Sequence, residues 1–157
     1  MRTITLYYSY SGNTKKIAEM IHEKTGGDIA QIDTVVPYGD DYNQVVAQGQ
    51  DEVNCGYTPE IKKLEVDLSE YDTVVLGTPV WWYTFAPAIK TFLESNDLSG
   101  KTVYPFATNG GWIGHTFKDI ENACRGSVVK AGMNIRFTED RLKTPAADIE
   151  KWIQKIQ

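Results

Sequence analysis

Val74-Val75-Leu76-Gly77 constrains this chain most: it closes a run from Tyr71 in which apolar residues follow one another without alternation. A strand with one wet face alternates apolar and polar positions, whereas a strand covered on both faces does not. The run therefore predicts a parallel strand buried between two layers of helices. The rest of the chain supplies the partners. Residues 3–8 are β-branched and aromatic and read as a first strand, residues 28–33 as a second, 102–107 as a fourth and 134–137 as a last. Between them Ile17, Met20 and Ile21 recur at helical spacing before Gly26-Gly27. Ile89, Phe92 and Leu93 follow Pro87, and Phe117, Ile120 and Cys124 form a further helical set. At the end, Thr144-Pro145 reads as a cap with proline in the first turn, ahead of the stripe Ile149, Trp152, Ile153 and Ile156. Within the polar, glycine-punctuated residues 40–57 the pattern predicts only a short helix over 42–47. Five strands interleaved with helices predict parallel pairing through right-handed crossovers and a three-layer α/β sandwich. With 157 residues and no repeat, linker or break in composition, residues 1–157 are expected to form one domain.

Composition narrows the function. Sixteen basic against twenty-one acidic side chains give a net charge of −5, which argues against nucleic acid and anionic membranes as partners. Cys55 and Cys124 are far apart, with no CxxC pair and no Cys/His cluster, so neither a zinc site nor a disulfide framework is expected. Free cysteines, and a beginning that does not read as an export signal, predict a cytoplasmic protein. The apolar stretch 74–89 is interrupted by Pro79 and Pro87 and is too short to span a bilayer.

In an open α/β sheet, ligands bind at the carboxyl ends of the strands. Three loops are expected there. The first, Ser9-Tyr10-Ser11-Gly12-Asn13-Thr14, gathers hydroxyls, an amide and one glycine at a helix start, where unpaired N–H groups and the positive dipole end favour an anion. It lacks the second glycine and the Lys-Ser/Thr of a P-loop, and it is not GxGxxG. Alone it reads equally as a monophosphate cradle or as ordinary helix capping. The second, Thr78-Pro79-Val80-Trp81-Trp82-Tyr83-Thr84-Phe85, puts four aromatics within five positions. One ring, Trp81 or Phe85, is expected beneath the following helix; the others suit a flat, partly apolar ligand. The third, Thr108-Asn109-Gly110-Gly111-Trp112 with Ile113-Gly114-His115, offers glycines that let backbone approach a heterocycle. One phosphate and one flat ring system describe flavin mononucleotide (FMN). His115 is expected to be a partly exposed helix-end residue, and no nucleophile or acid–base pair stands out as catalytic.

These residues carry a family resemblance. The strand ending at Tyr8 with Ser9-Tyr10-Ser11-Gly12-Asn13-Thr14 resembles the phosphate loop of flavodoxins. Gly77-Thr78-Pro79-Val80-Trp81-Trp82, Ala86-Pro87, Gly100-Lys101-Thr102-Val103 and Phe106-Ala107-Thr108-Asn109-Gly110-Gly111 are similar, in order, to a bacterial flavodoxin-like subgroup. The resemblance spans nearly the whole chain outside residues 35–59. It implies a doubly wound sheet of order 2-1-3-4-5 and one non-covalent FMN. Residues 9–14 would hold its phosphate, Thr78 to Tyr83 would flank ribityl and ring, and Thr108 to Trp112 the ring's other side. Tyr83 stands where the subgroup often has glycine. A side chain there disfavours the positive φ reached when a glycine peptide turns toward the half-reduced ring.

Two functions follow from the resemblance. In one, the protein carries electrons between a flavin reductase and an acceptor protein, with the cofactor performing the redox chemistry and the acidic surface available to a basic redox partner. In the other, it is an FMN-dependent NAD(P)H:quinone or small-molecule reductase, with His115 a candidate proton donor. A module that kept the fold and lost flavin is opposed by the intact hydroxyl-rich loop.

Overall fold

The computed structural model describes residues 2–156. Along the chain lie β1 (Thr3–Tyr7), α1 (Asn13–Thr25), β2 (Asp28–Gln31), α2 (Tyr42–Cys55), β3 (Thr73–Trp81), β4 (Thr84–Phe85) and α3 (Pro87–Ser95). They are followed by β5 (Thr102–Asn109), α4 (Thr116–Ala123), β6 (Val128–Val129), β7 (Met133–Thr138), β8 (Arg141–Leu142) and α5 (Ala146–Gln154). The parallel rows run β2-β1-β3-β5-β7, which is the expected 2-1-3-4-5 order of five long rows. β6 pairs with β5 on the same edge as β7. From Val129 opposite Val103 to Met133 opposite Phe106, four steps on one strand face three on the other. β6 and β7 are thus one edge row interrupted by a bulge. β4 and β8 are short antiparallel additions to β3 and β7.

The unalternating central strand sorts its side chains between two cores. Val74 and Leu76 join Ile4 and Leu6 against Ile89 and Phe92 of α3 and Ile120 of α4. Val75 turns the other way, with Phe106 and Ile135, toward Ile17 and Ile21 of α1 and Ile149 and Trp152 of α5. Each such aliphatic side chain, fully buried, contributes roughly 1.5–3 kcal/mol. The sheet passes between the layers with little room: a Cβ on Gly77 would lie 2.1 Å from the Phe106 ring.

Three expectations are corrected. The helix within residues 40–57 runs the full length of α2, because Asp41 caps it by accepting from the N–H groups of Asn43 and Gln44. β3 continues past Gly77 to Trp81, because β5 pairs with it as far as Pro79 and β4 then pairs back onto Val80 and Trp81. Thr144 does not cap α5: its hydroxyl accepts from the Arg136 N–H at 2.7 Å, and Pro145 occupies the cap position itself. No helix among the described residues is long and apolar enough to cross a membrane.

Candidate functional site

At the carboxyl ends of the strands the chain leaves a cleft of about 770 Å³, within the size range of small-molecule sites. Four elements wall it: Tyr10, Ser11 and Asn13 before and at the start of α1; Val80, Trp81 and Trp82 at the end of β3; Tyr42, Val45, Val46 and Gly49 of α2; and Glu139 and Asp140 between β7 and β8.

The first loop is organised as a donor cradle. Gly12, at φ 98°, turns the chain into α1. The Ser9 hydroxyl accepts from the N–H groups of Gly12 at 3.1 Å and Lys15 at 3.3 Å. Among the described residues, the N–H groups of Ser11, Asn13 and Thr14 donate to no protein acceptor, so these donors remain available at the positive end of the helix. The Asn13 amide donates to the Glu139 carbonyl at 2.7 Å, tying the loop to the β7–β8 turn. Thr14 is buried, and its hydroxyl shares a 2.7 Å hydrogen bond with that of Thr108. Lys16 reaches the Asp140 carbonyl at 3.4 Å rather than the mouth of the loop.

The second loop is a hairpin. Trp81 pairs with Thr84 across two residues, Trp82 at φ 49° and Tyr83 at φ 71°. A type I′ turn demands positive φ at both positions, which normally selects glycine and asparagine. Here two aromatics occupy it, so Tyr83 already bears the positive φ that a side chain disfavours. The turn is held from outside: the Tyr83 carbonyl accepts from the His115 N–H at 2.8 Å, and the Thr84 hydroxyl donates to Asp119 at 2.6 Å. A Cβ on Gly114 would lie 2.5 Å from Tyr83 atoms. Trp82 donates its indole N–H to the Val46 carbonyl at 3.0 Å. Trp81 packs edge to face with Tyr38, Tyr8 and Tyr10. Both Trp81 and Phe85 also pack against the core beneath α3, as expected for at least one of them.

The structure brings six expected residues onto the cleft lining: Tyr10, Ser11, Asn13, Val80, Trp81 and Trp82. Ser9 and Gly12 shape the loop behind them. It does not bring there Thr78, Pro79, Tyr83 or residues 108–112. Thr78 is fully buried and accepts from the Ala86 N–H at 3.0 Å. Asn109 ties strand ends together through Asn134 and accepts from the Gly111 N–H. Tyr83 and Trp112, 48% and 67% exposed, pack on each other at 4.8 Å. A Cβ on Gly110 or Gly111 would meet nothing within 4 Å, so the surface beside that pair is open to approach. His115 is the N-cap residue of α4 and its ring pairs with Asp119, away from the cleft. Cys124 is buried, which pushes its thiol up to about 11 and leaves it inert at neutral pH.

Sequence reasoning missed the α2 wall and the Glu139–Asp140 turn. Asp41 followed by Gln44 is a variant of the capping-box spacing and was the available signal for α2. The left-handed Glu139, at φ 56°, left no signal in its residue type.

Comparisons with known proteins agree with this fold. The sequence model of the Flavodoxin family matches residues 2–156. A candidate flavoprotein from Bacteroides eggerthii DSM 20697 superposes with a TM-score of 0.83 at 31% identity, covering 99% of this chain and 97% of that one. A flavoprotein from Lactobacillus acidophilus NCFM, solved in complex with FMN, gives 0.75 at 25% identity, covering 96% and 97%. Among curated proteins, the uncharacterized NAD(P)H oxidoreductase YcaK of Escherichia coli K12 is 30% identical over 86 residues. That match spans 52% of this chain and 43% of the relative.

Proposed function

The chain belongs to the flavodoxin family, and from that premise we propose that it is an FMN-binding electron carrier that accepts reducing equivalents from a reductase and passes them to an acceptor protein. FMN, the cofactor of the family, supplies one- and two-electron chemistry when bound. The chain supplies position and environment. The N–H groups of Ser11, Asn13 and Thr14, with the Ser9 hydroxyl, take the phosphate at the start of α1. Trp81 and Trp82 offer the flat ring an apolar wall, and the open surface at Gly110 and Gly111, outside the cleft lining, is where a second flank would lie.

The observation that carries this reading is the pairing, across one cleft, of Ser11 and Asn13, whose N–H groups have no acceptor among the described residues, with two indoles at the end of β3. No catalytic side chain is required, and the His115–Asp119 pair lies outside the cleft. Titrating the purified chain with FMN tests it: flavin emission and tryptophan emission should both be quenched to a one-to-one end point. A chain that leaves both unchanged in excess FMN would end the assignment.

A second reading, an FMN-dependent NAD(P)H:quinone or small-molecule reductase, is favoured by the exposed Tyr42 and Val46 on the α2 wall, which offer a flat acceptor room beside Trp82. Steady NAD(P)H consumption with a quinone and no added reductase selects this reading. Consumption only after a reductase is added selects the carrier. We place the protein in the cytoplasm on the strength of its free cysteines, Cys55 and Cys124.

A further inference from the structure

Beneath the cleft lies an acid that ligand binding does not use. Glu52, on the inner face of α2, is only 8% exposed, and a carboxylate so placed depends on protein donors. Both of its donors are neutral: the Tyr38 hydroxyl at 2.6 Å on Oε1 and the Gln48 amide at 2.8 Å on Oε2. The Tyr38 ring meets Trp81 edge to face, 4.9 Å between centroids, and Trp81 is a wall of the cleft. Tyr8 and Tyr10 approach Trp81 at 6.0 and 6.1 Å. Tyr10 differs from Tyr38 in what its hydroxyl meets, the Gly39 carbonyl, which cannot accept a proton.

We propose that Tyr38 and Glu52 together form a proton-coupled electron donor that refills Trp81 after a one-electron oxidation in the cleft. A one-electron oxidant takes an electron from Trp81 and leaves the indole as a radical cation. One electron then passes from the Tyr38 ring to that indole, and the phenolic proton moves along its hydrogen bond to Glu52 Oε1. The products are a restored Trp81, a neutral tyrosyl radical at position 38 and a neutral Glu52 acid. A positive and a negative charge in a poorly solvated place are both removed, and such unscreened charges are the costly ones. Burial and the bond to Glu52 push the Tyr38 phenol well above its ordinary pKa, and its hydrogen already lies in the 2.6 Å bond to Glu52 Oε1, so the carboxylate is the acceptor at hand. A one-electron reductant such as ascorbate returns the electron, and Glu52 returns the proton. The pair would protect the cleft indole, and any flat ligand against it, from oxidative loss.

The full chain can be tested with flash-generated tris(bipyridine)ruthenium(III) as oxidant, followed by transient absorption and freeze-trapped electron paramagnetic resonance. No flavin is needed, so failure here is distinguishable from failure of the cofactor reading. The wild-type chain is expected to yield a neutral tyrosyl radical. Tyr38→Phe should leave an indolyl radical in its place. Glu52→Gln keeps the shape but cannot take the proton, and tyrosyl formation should slow roughly 10²-fold, the low end of general-base contributions. An unchanged rate in Glu52→Gln, or an unchanged tyrosyl yield in Tyr38→Phe, overturns the proposal. If either variant does not fold, the wild-type chain still decides: tyrosyl formation that is no slower in deuterated water overturns it as well.

Discussion

At the amino ends of the parallel strands the side chains saturate one another, whereas at the carboxyl ends they leave donors unmet and backbone strained. In the first region Arg2 bonds both Asp28 and Glu70 at 3.0 Å and lies 4.8 Å over the Tyr71 ring, while the Tyr71 hydroxyl donates to Asp28. In the second, three N–H groups at the start of α1 lack acceptors among the described residues, and Trp82, Tyr83 and Glu139 sit at positive φ. Residues held in such conformations cost of order 1–3 kcal/mol each and persist where the surroundings over-determine them. Here the surroundings are Gly114, His115 and Asp119, which close on the hairpin from α4's side. One end of the sheet is therefore built for stability and the other for a ligand.

The largest test of that contrast is Gly114→Ala. Gly114 is at φ 57°, and a Cβ there would lie 2.5 Å from the Tyr83 backbone, so the substitution adds left-handed strain to a clash that no flexible side chain can relieve. A loss of about 3 kcal/mol in unfolding free energy is expected from overpacking and strain together, read from the urea midpoint at constant slope. A change under about 0.5 kcal/mol, the level of an ordinary surface substitution, would mean that the hairpin is not clamped. Next in size is Ser9→Ala, which removes the acceptor of the Gly12 and Lys15 N–H groups. The cradle should loosen, with FMN affinity falling roughly tenfold, about 1.4 kcal/mol, while urea stability moves far less. Equal FMN titrations for variant and wild type would detach the first loop from the ligand. Tyr83→Gly should act in the opposite sense, raising unfolding free energy by about 1 kcal/mol, because glycine suits the second turn position and relieves the left-handed penalty.

The same contrast explains what could be read in advance. The three-layer arrangement of strands and helices was legible because Val74 to Leu76 and the helical stripes are hydrophobic patterns, which the two cores on either face of the sheet must obey; the 2-1-3-4-5 order was implied only by the family resemblance. Helix α2 was largely illegible because its buried positions are Val45, Gly49 and Glu52, which make no apolar stripe. The reach of β3 to Trp81 was hidden by Pro79, a residue that usually ends strands, and by aromatics in turn positions that usually take glycine. In the site, residue type located the loops but not the tasks of individual hydroxyls. Thr14, Thr78 and Thr108 look as suited to a ligand as Ser11, yet they are buried in contacts within the protein, whereas Ser11 lines the cleft; only geometry separates a residue that faces a cleft from one that closes a turn.

The smallest expected effect lies at the saturated end and follows from titration. The Asp28 carboxyl is held below its ordinary value of 3.8, first by the Tyr71 hydroxyl and then by the charge of Arg2. A carboxyl whose folded value is depressed contributes stability that is fully present above the unfolded value and is lost as the pH falls through the folded one. The interaction is exposed to solvent and salt, so it is worth little in magnitude; its signature is the pH window. Urea midpoints of the wild-type chain and of Asp28→Asn should differ by a constant small amount at neutral pH and converge only as the pH drops below 3.8. FMN affinity at neutral pH should be the same for both, since Asp28 stands at the opposite end of the strands from the cleft. Convergence already at pH 6, or a change in FMN affinity, would show that the two ends are coupled rather than divided in their tasks.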